Sequence, residues 1–188
     1  PFLRFKSGVD PSQVKFEAAY AGPAIESFKT YQRLQQEGIF RPDTLFQVSL
    51  PTPMATAFMY ISPSAREGYL PVYEAALAEA LKEILDSIPH DRLSIQWDVC
   101  QEVLVFEDYF LERPGNYKQQ IFCELARMGR LVPETVDMGY HLCYGSPRDE
   151  HLVQPKDMSI LVEISNGLIA GLNRRLDFLH LPVPKDRT

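Results

Sequence analysis

The chain has 188 residues and a mass of 21.5 kDa, the size of one ordinary domain. Hydrophobic residues make up 45% of it and charged residues 23%, which excludes a disordered or collagen-like chain. The net charge of −6 argues against a nucleic-acid surface, which needs clustered positive charge. No apolar run reaches the length of a membrane span. Three cysteines are too few for a disulfide framework, so we expect a cytoplasmic protein.

The first half of the chain alternates short apolar runs with stretches of helical length. A short strand is considered at 14–18, and three-residue spacing of apolar side chains predicts a helix over 24–36. The run at 45–50, closed by prolines, predicts a buried strand. An Ala-, Leu- and Glu-rich segment predicts a long helix over 69–88, with Pro71 near its first turn.

The second half continues the alternation. Its predicted elements are strands at 93–99, 136–143, 159–164 and 176–181 and helices at 117–129 and 168–175. Strands that alternate with helices predict a parallel sheet in an α/β fold. Phosphate-loop fingerprints typical of an open sheet are absent, and polar residues end several strands, as at the mouth of a TIM barrel. We therefore predict that residues 1–188 form one (β/α)8 TIM barrel domain. Five or six of its eight strands are recognisable, so either further strands are present without a clear pattern or part of the barrel lies outside this chain.

Two residues with metal-binding chemistry stand close together on one predicted strand. His141 and Cys143 are two positions apart, so their side chains point to the same side of the sheet. Glu163 is expected at the corresponding place on the next strand, and a His, a thiolate and a carboxylate are plausible zinc ligands. The alternative is that His141 and Cys143 are core residues and that Glu163 pairs with an arginine.

Asp98 is the main candidate outside this group. An acid at a strand end either binds a substrate amine or caps the next helix. Asp98 and His141 are therefore the candidate catalytic residues. Ser49, Trp97 and His180 are further candidates for the substrate-binding wall, although Trp97 also suits the core.

Three segments, in order, resemble those of cobalamin-independent methionine synthase. Ile-Gln-Trp-Asp at 95–98 resembles its Ile-Gln-x-Asp strand, and His-Leu-Cys-Tyr at 141–144 resembles its His-x-Cys-Tyr metal strand. Val-Glu-Ile-Ser-Asn at 162–166 resembles the strand that carries its metal-binding Glu. The resemblance runs from about 46 to 184 and concerns the C-terminal catalytic barrel, in a group that includes uroporphyrinogen-decarboxylase-like barrels.

The resemblance implies a zinc cofactor held by His141, Cys143 and Glu163, with Asp98 holding the amino group of the substrate. The implied activity is a zinc-dependent methyl or alkyl transferase that acts on a small thiol, similar to 5-methyltetrahydropteroyltriglutamate–homocysteine S-methyltransferase. Its partners would be a small thiol and a methyl donor. Two features depart from the family: Val99 replaces an acid, and no cysteine follows Cys143 to supply a second zinc thiolate.

Two other functions fit the same residues. One is a zinc-free lyase- or decarboxylase-like barrel enzyme that uses Asp98, His141 and Glu163 as acid and base groups. The other is a degenerate barrel that only binds a ligand or a partner protein. We expect no nucleic-acid or membrane partner. Because an incomplete barrel exposes strand edges, we expect completing segments or a partner such as a homo-oligomer.

Overall fold

The computed structural model describes residues 2–113 and 115–183 of the chain. Its helices are α1 (Ala21–Gln36), α2 (Pro53–Tyr60), α3 (Pro63–Ser87), α4 (Gln101–Phe106), α5 (Tyr117–Gly129) and α6 (Ser159–Gly171). Its strands are β1 (Phe46–Pro51), β2 (Leu93–Val99), β3 (Asp137–Leu142) and β4 (Phe178–His180). None of the described helices combines the length and the apolar character that crossing a membrane requires.

The strands form one sheet in the order β1-β2-β3-β4, and every pair is parallel. The predicted α/β fold with a parallel sheet is therefore confirmed. The register places Asp98 of β2 opposite His141 of β3, and His141 opposite His180 of β4. Residues that end neighbouring strands thus meet at one edge of the sheet.

Helices cover the apolar face of the sheet. The Tyr140 hydroxyl on this face donates a 2.7 Å hydrogen bond to the Leu125 carbonyl of α5. The fully buried side chains of this face are those of Leu50, Leu93, Ile95, Trp97, Val99, Met138, Tyr140 and Leu142. Most of the alternate positions are polar, and Gln47, Ser49 and His180 among them are exposed. The sheet therefore has one covered apolar face and one polar face that reaches solvent.

The strand predicted at 159–164 is wrong, because this segment begins helix α6. Leu161, Ile164, Ser165 and Leu168 are buried, and this spacing of three and four residues is helical. The separate helix predicted at 168–175 is the end of α6, which stops at Gly171.

Three smaller predictions also need correction. Pro71 lies inside α3, because that helix begins at Pro63 rather than near residue 69. The segment 14–18 forms no strand and follows a short 3-10 turn at Pro11–Gln13. The last strand is shorter than predicted and spans Phe178–His180.

A buried arginine holds β4 beside β3. The Arg174 side chain is 4% exposed, and its guanidinium donates hydrogen bonds to the carbonyls of Pro133 and Val136, each 3.0 Å long. It also pairs with the Asp177 carboxylate at 3.3 Å. The same carboxylate accepts a 2.9 Å hydrogen bond from the backbone N–H of Met138. This network ties the start of β4 to the start of β3.

We expect the substitution Gly139→Ala to weaken the contact between β3 and β4. A Cβ atom at Gly139 would lie 2.5 Å from the Phe178 carbonyl oxygen, and backbone cannot move aside as a flexible side chain can. Overpacking of this kind costs about 1–3 kcal/mol, to be measured by urea unfolding. Gly22→Ala in α1 is the control, because no atom lies within 4 Å of its Cβ position. Equal stability of the two variants would contradict the described packing.

Candidate functional site

The carboxyl ends of β2, β3 and β4 bring three candidate residues together. Asp98, His141 and His180 lie side by side in register on the polar face. Asp98 and His141 are half-buried and His180 is exposed. Catalytic and binding residues commonly occupy this edge of a parallel sheet. We treat it as the candidate active site and call it the carboxyl edge.

Gln96 orients Asp98 from within β2. Its side-chain amide donates a 2.8 Å hydrogen bond to Asp98 Oδ1 and a 3.2 Å hydrogen bond to Ser49 Oγ on β1. Burial raises the pKa of Asp98, and the Gln96 hydrogen bond opposes that shift. Ser49 on β1 is therefore linked to Asp98 on β2 by the hydrogen bonds of the Gln96 side chain.

His141 is held by the neighbouring strand. Its Nδ1 lies 3.3 Å from the His180 carbonyl oxygen, which can only accept, so Nδ1 carries the proton in that contact. The two imidazole rings lie 4.3 Å apart between centroids. A hydrogen bond with Cys143 is the main cause that raises the pKa of His141, and the negative charge of Asp98 adds to it. His141 therefore holds its second proton more strongly than an ordinary histidine does.

Cys143 extends β3 alongside the end of β2. Its backbone N–H donates a 3.1 Å hydrogen bond to the Val99 carbonyl, which keeps the chain next to Cys100. A hydrogen bond from Cys100 lowers the pKa of the Cys143 thiol, and the hydrogen bond with His141 lowers it further. The same contact with Cys143 raises the pKa of Cys100, which stays a protonated donor. Of the two thiols, Cys143 is therefore the one that ionises more readily.

The structure does not bring Glu163 to the carboxyl edge. Glu163 lies exposed on α6, where its carboxylate accepts a hydrogen bond from Lys118 of α5. Residues 2–113 and 115–183 contain no group of three or more His, Cys, Asp or Glu side chains placed to hold a metal ion. The residues that the methionine synthase resemblance assigns to zinc therefore do not fit that role as a set. Trp97 is also away from the polar face, because it is fully buried in the core.

Cys100 is the site residue that the sequence prediction missed. It follows Asp98 by two positions, so the same alternation that pairs His141 with Cys143 would have identified it. Gly145, in the loop after Cys143, has a φ of +66°, and a Cβ there would lie 3.4 Å from the Cys100 sulfur. The positive φ and the Leu152 side chain, 2.8 Å from that Cβ position, favour glycine here.

A buried carboxyl group lies behind the two cysteines. Glu102 at the start of α4 is fully buried, and no described residue hydrogen-bonds its carboxylate oxygens. Burial, together with the charge of Glu124, raises the pKa of Glu102 to about 8. Burial likewise raises the pKa of Glu124 to about 7, although its Oε1 accepts a 3.3 Å hydrogen bond from the Met54 backbone. Both side chains therefore favour the neutral acid.

Two grooves lie elsewhere on the molecule. One, of about 990 Å³, separates residues 10–18 from α3, and the other, of about 850 Å³, is bordered by α2, α3 and α5. Neither includes Asp98, His141 or Cys143. The carboxyl edge is instead open to solvent along the polar face of the sheet.

Comparisons with known proteins identify no relative. No family model, no curated protein and no solved structure matches the chain. The function is therefore argued from the chemistry of the carboxyl edge.

We expect Glu102→Gln to change how stability depends on pH. In the folded protein the pKa of Glu102 is raised to about 8. As the pH rises from the pKa of Glu102 in the unfolded chain toward 8, the unfolded chain ionises more readily than the folded protein, so the parent loses stability. Glutamine carries no charge, so the variant should gain stability relative to the parent over that range, by on the order of 1–3 kcal/mol. Urea unfolding at pH 5 and pH 8.5 measures the difference. The exposed Glu67→Gln is the control, and a parent curve parallel to that of Glu102→Gln would contradict the assignment.

Proposed function

We propose that the chain carries the active site of a cysteine-dependent group-transfer enzyme, with Cys143 as the nucleophile and His141 as its acid–base partner. The observation that carries the proposal is the place of Cys143 at the carboxyl edge, two residues after His141 and beside Cys100, which follows the neighbouring strand. Cys100 and His141 both lower the pKa of the Cys143 thiol. A thiolate is the reactive form of cysteine, and a neighbouring imidazolium is a common way to stabilise one. Cys143 is half-buried rather than enclosed in the core.

The proposed reaction has two steps that balance. In the first, the Cys143 thiolate attacks an electrophilic carbon of a small donor, a carbon–sulfur bond forms, and the bond to the leaving group breaks as His141 gives that group a proton. In the second, an acceptor nucleophile gives its proton to His141 and takes the group, which restores the thiolate. Asp98 supports the charge on His141, with which it is in register. A small thiol remains our proposed acceptor.

Alkylation of Cys143 tests the nucleophile. We expect the rate constant with iodoacetamide to change less than about threefold between pH 6 and pH 8, because the thiolate is already formed. An ordinary small thiol with a pKa near 8.5 should change on the order of 50- to 100-fold. Mass spectrometry of tryptic peptides resolves the three cysteines, and Cys123, exposed on α5, controls for the amount of reagent.

His141→Gln is the matched variant for this experiment. It should lower the rate constant of Cys143 at pH 6 by at least about tenfold and leave that of Cys123 unchanged, because it removes the cation beside one sulfur only. A pH profile of Cys143 equal to that of the small thiol would overturn the proposal. Circular dichroism of the variant checks that it is folded.

A zinc-dependent methyl or alkyl transferase is the second candidate, and one observation favours it. His180 occupies the place on the strand next to β3 at which a third ligand was expected, in register with His141. Its side chain is exposed, and its ring centroid lies 4.3 Å from that of His141. The side chains would have to move to share one metal ion, because no group of the described residues is already placed to do so. Zinc bound by His141, Cys143 and His180 would have two imidazoles and one thiolate as ligands, with a fourth position free.

Metal analysis separates the two candidates. The zinc site predicts about one zinc per chain after dialysis against zinc, lost in Cys143→Ser and in His180→Ala. Glu163→Gln should keep its zinc, because Glu163 lies on α6. Absence of zinc from the parent chain, or its retention in His180→Ala, would contradict this second candidate.

We also propose that the sheet belongs to a (β/α)8 barrel. Parallel strands in chain order, connected by right-handed crossovers, place all helices on one side and the polar residues on the other. In a barrel that polar side is the interior, and its carboxyl edge is the mouth at which active sites lie. Ser49, Asp98 and His141 would then line one mouth.

A further inference from the structure

The two half-buried cysteines lie next to each other at the carboxyl edge. Cys100 follows β2 and Cys143 follows β3, each two residues beyond the register pair Asp98 and His141. The 3.1 Å hydrogen bond from the Cys143 N–H to the Val99 carbonyl holds the two chains together there, and each thiol shifts the pKa of the other. Cys123, on α5, lies outside this pair and is exposed.

We propose that Cys100 and Cys143 are a site of reversible oxidation, at which hydrogen peroxide converts the two thiols into a disulfide. Disulfides join residues whose Cα atoms are about 4.4–6.8 Å apart, which is the range of side-by-side positions on paired chains. Side-chain alternation puts both Cβ atoms on the polar face. Gly145 brings the following loop close to the Cys100 sulfur without a side chain in the way.

The chemistry requires one equivalent of peroxide. The Cys143 thiolate attacks a peroxide oxygen, the O–O bond breaks, and Cys143 becomes a sulfenic acid with release of hydroxide. The Cys100 sulfur, losing its proton, then attacks the Cys143 sulfur and displaces a second hydroxide, which the released proton neutralises. The two sulfurs are oxidised and the peroxide is reduced to water. A small thiol reverses the reaction by exchange.

Oxidation at this site would occupy the sulfur that the proposed reaction uses. The disulfide and the proposed enzyme share Cys143, but the disulfide depends on the proximity of Cys100 rather than on a substrate. Alkylation under reducing conditions tests the nucleophile, and oxidation tests the pair. One proposal can therefore fail while the other holds.

Peptide mapping after oxidation tests the inference. Trypsin places Cys100 in the peptide 93–118, Cys123 in 119–127 and Cys143 in 131–148. The folded full chain is treated with a small excess of hydrogen peroxide, blocked with iodoacetamide and digested. We expect 93–118 linked to 131–148 with the loss of two hydrogen atoms, Cys123 alkylated, and complete reversal by dithiothreitol.

Two variants complete the experiment. In Cys100→Ser the disulfide cannot form, so Cys143 should be trapped as a sulfenic acid that reacts with dimedone and then oxidises further. In Cys123→Ser the cross-linked peptide should form as in the parent, and thermal unfolding shows whether each variant is folded. Further oxidation of Cys143 in the parent while Cys100 remains a free thiol would overturn the inference. So would a parent disulfide that involves Cys123.

Discussion

The alternation of side chains along four parallel strands is the constraint on which the rest of the structure depends. Along each strand, every second residue is buried in the core under the helices, and the residues between them lie on the polar face. The register between β2 and β3 then decides which polar residues meet. A shift of one residue would exchange Trp97 for Asp98 and place a carboxylate in the core. The core and the site therefore enforce the same pairing.

Acidic groups accumulate around the carboxyl edge. Negative charge on Cys143 raises the pKa of both Asp98 and the buried Glu102. His141 supplies the positive charge that favours the thiolate. Burial favours the neutral form of Glu102, and its carboxyl oxygens have no hydrogen-bond partner among the described residues. Such local costs are typical of functional sites rather than of a core selected for stability alone.

Much of the sheet was predictable from local patterns. Strands β1, β2 and β3 are apolar runs bounded by prolines or polar residues, and α5 coincides with its predicted range. The segment 159–164 was misassigned because a short apolar run suits either a buried strand or a helix. Extending the window to Leu168 shows the helical period, and Asp157, whose side chain accepts from the Ser159 N–H at 2.8 Å, marks the helix start.

The candidate site was also predictable in part, because some of its residues are recognisable from local patterns. Asp98 and His141 were identified because each ends a strand, which is a local property. The residue beside His141 on the next strand was not identified correctly, because that requires knowing which segment forms the strand after β3. Once 159–164 is a helix, the next strand is β4 and the residue in register is His180 rather than Glu163. Contacts between Cys100 and Cys143 likewise depend on strand register, which a single sequence does not display.

The hydrogen bonds of Arg174 at the start of β4 also affect the other end of this short strand. β4 has three residues, so the position of its last carbonyl, which accepts the hydrogen bond from His141 Nδ1, depends on how the start of the strand is anchored. That anchor is the Arg174 guanidinium, which bonds the carbonyls of Pro133 and Val136 and the Asp177 carboxylate beside the start of β3. The orientation of His141 is therefore supported from the far end of the strand, by a side chain that belongs to no part of the carboxyl edge.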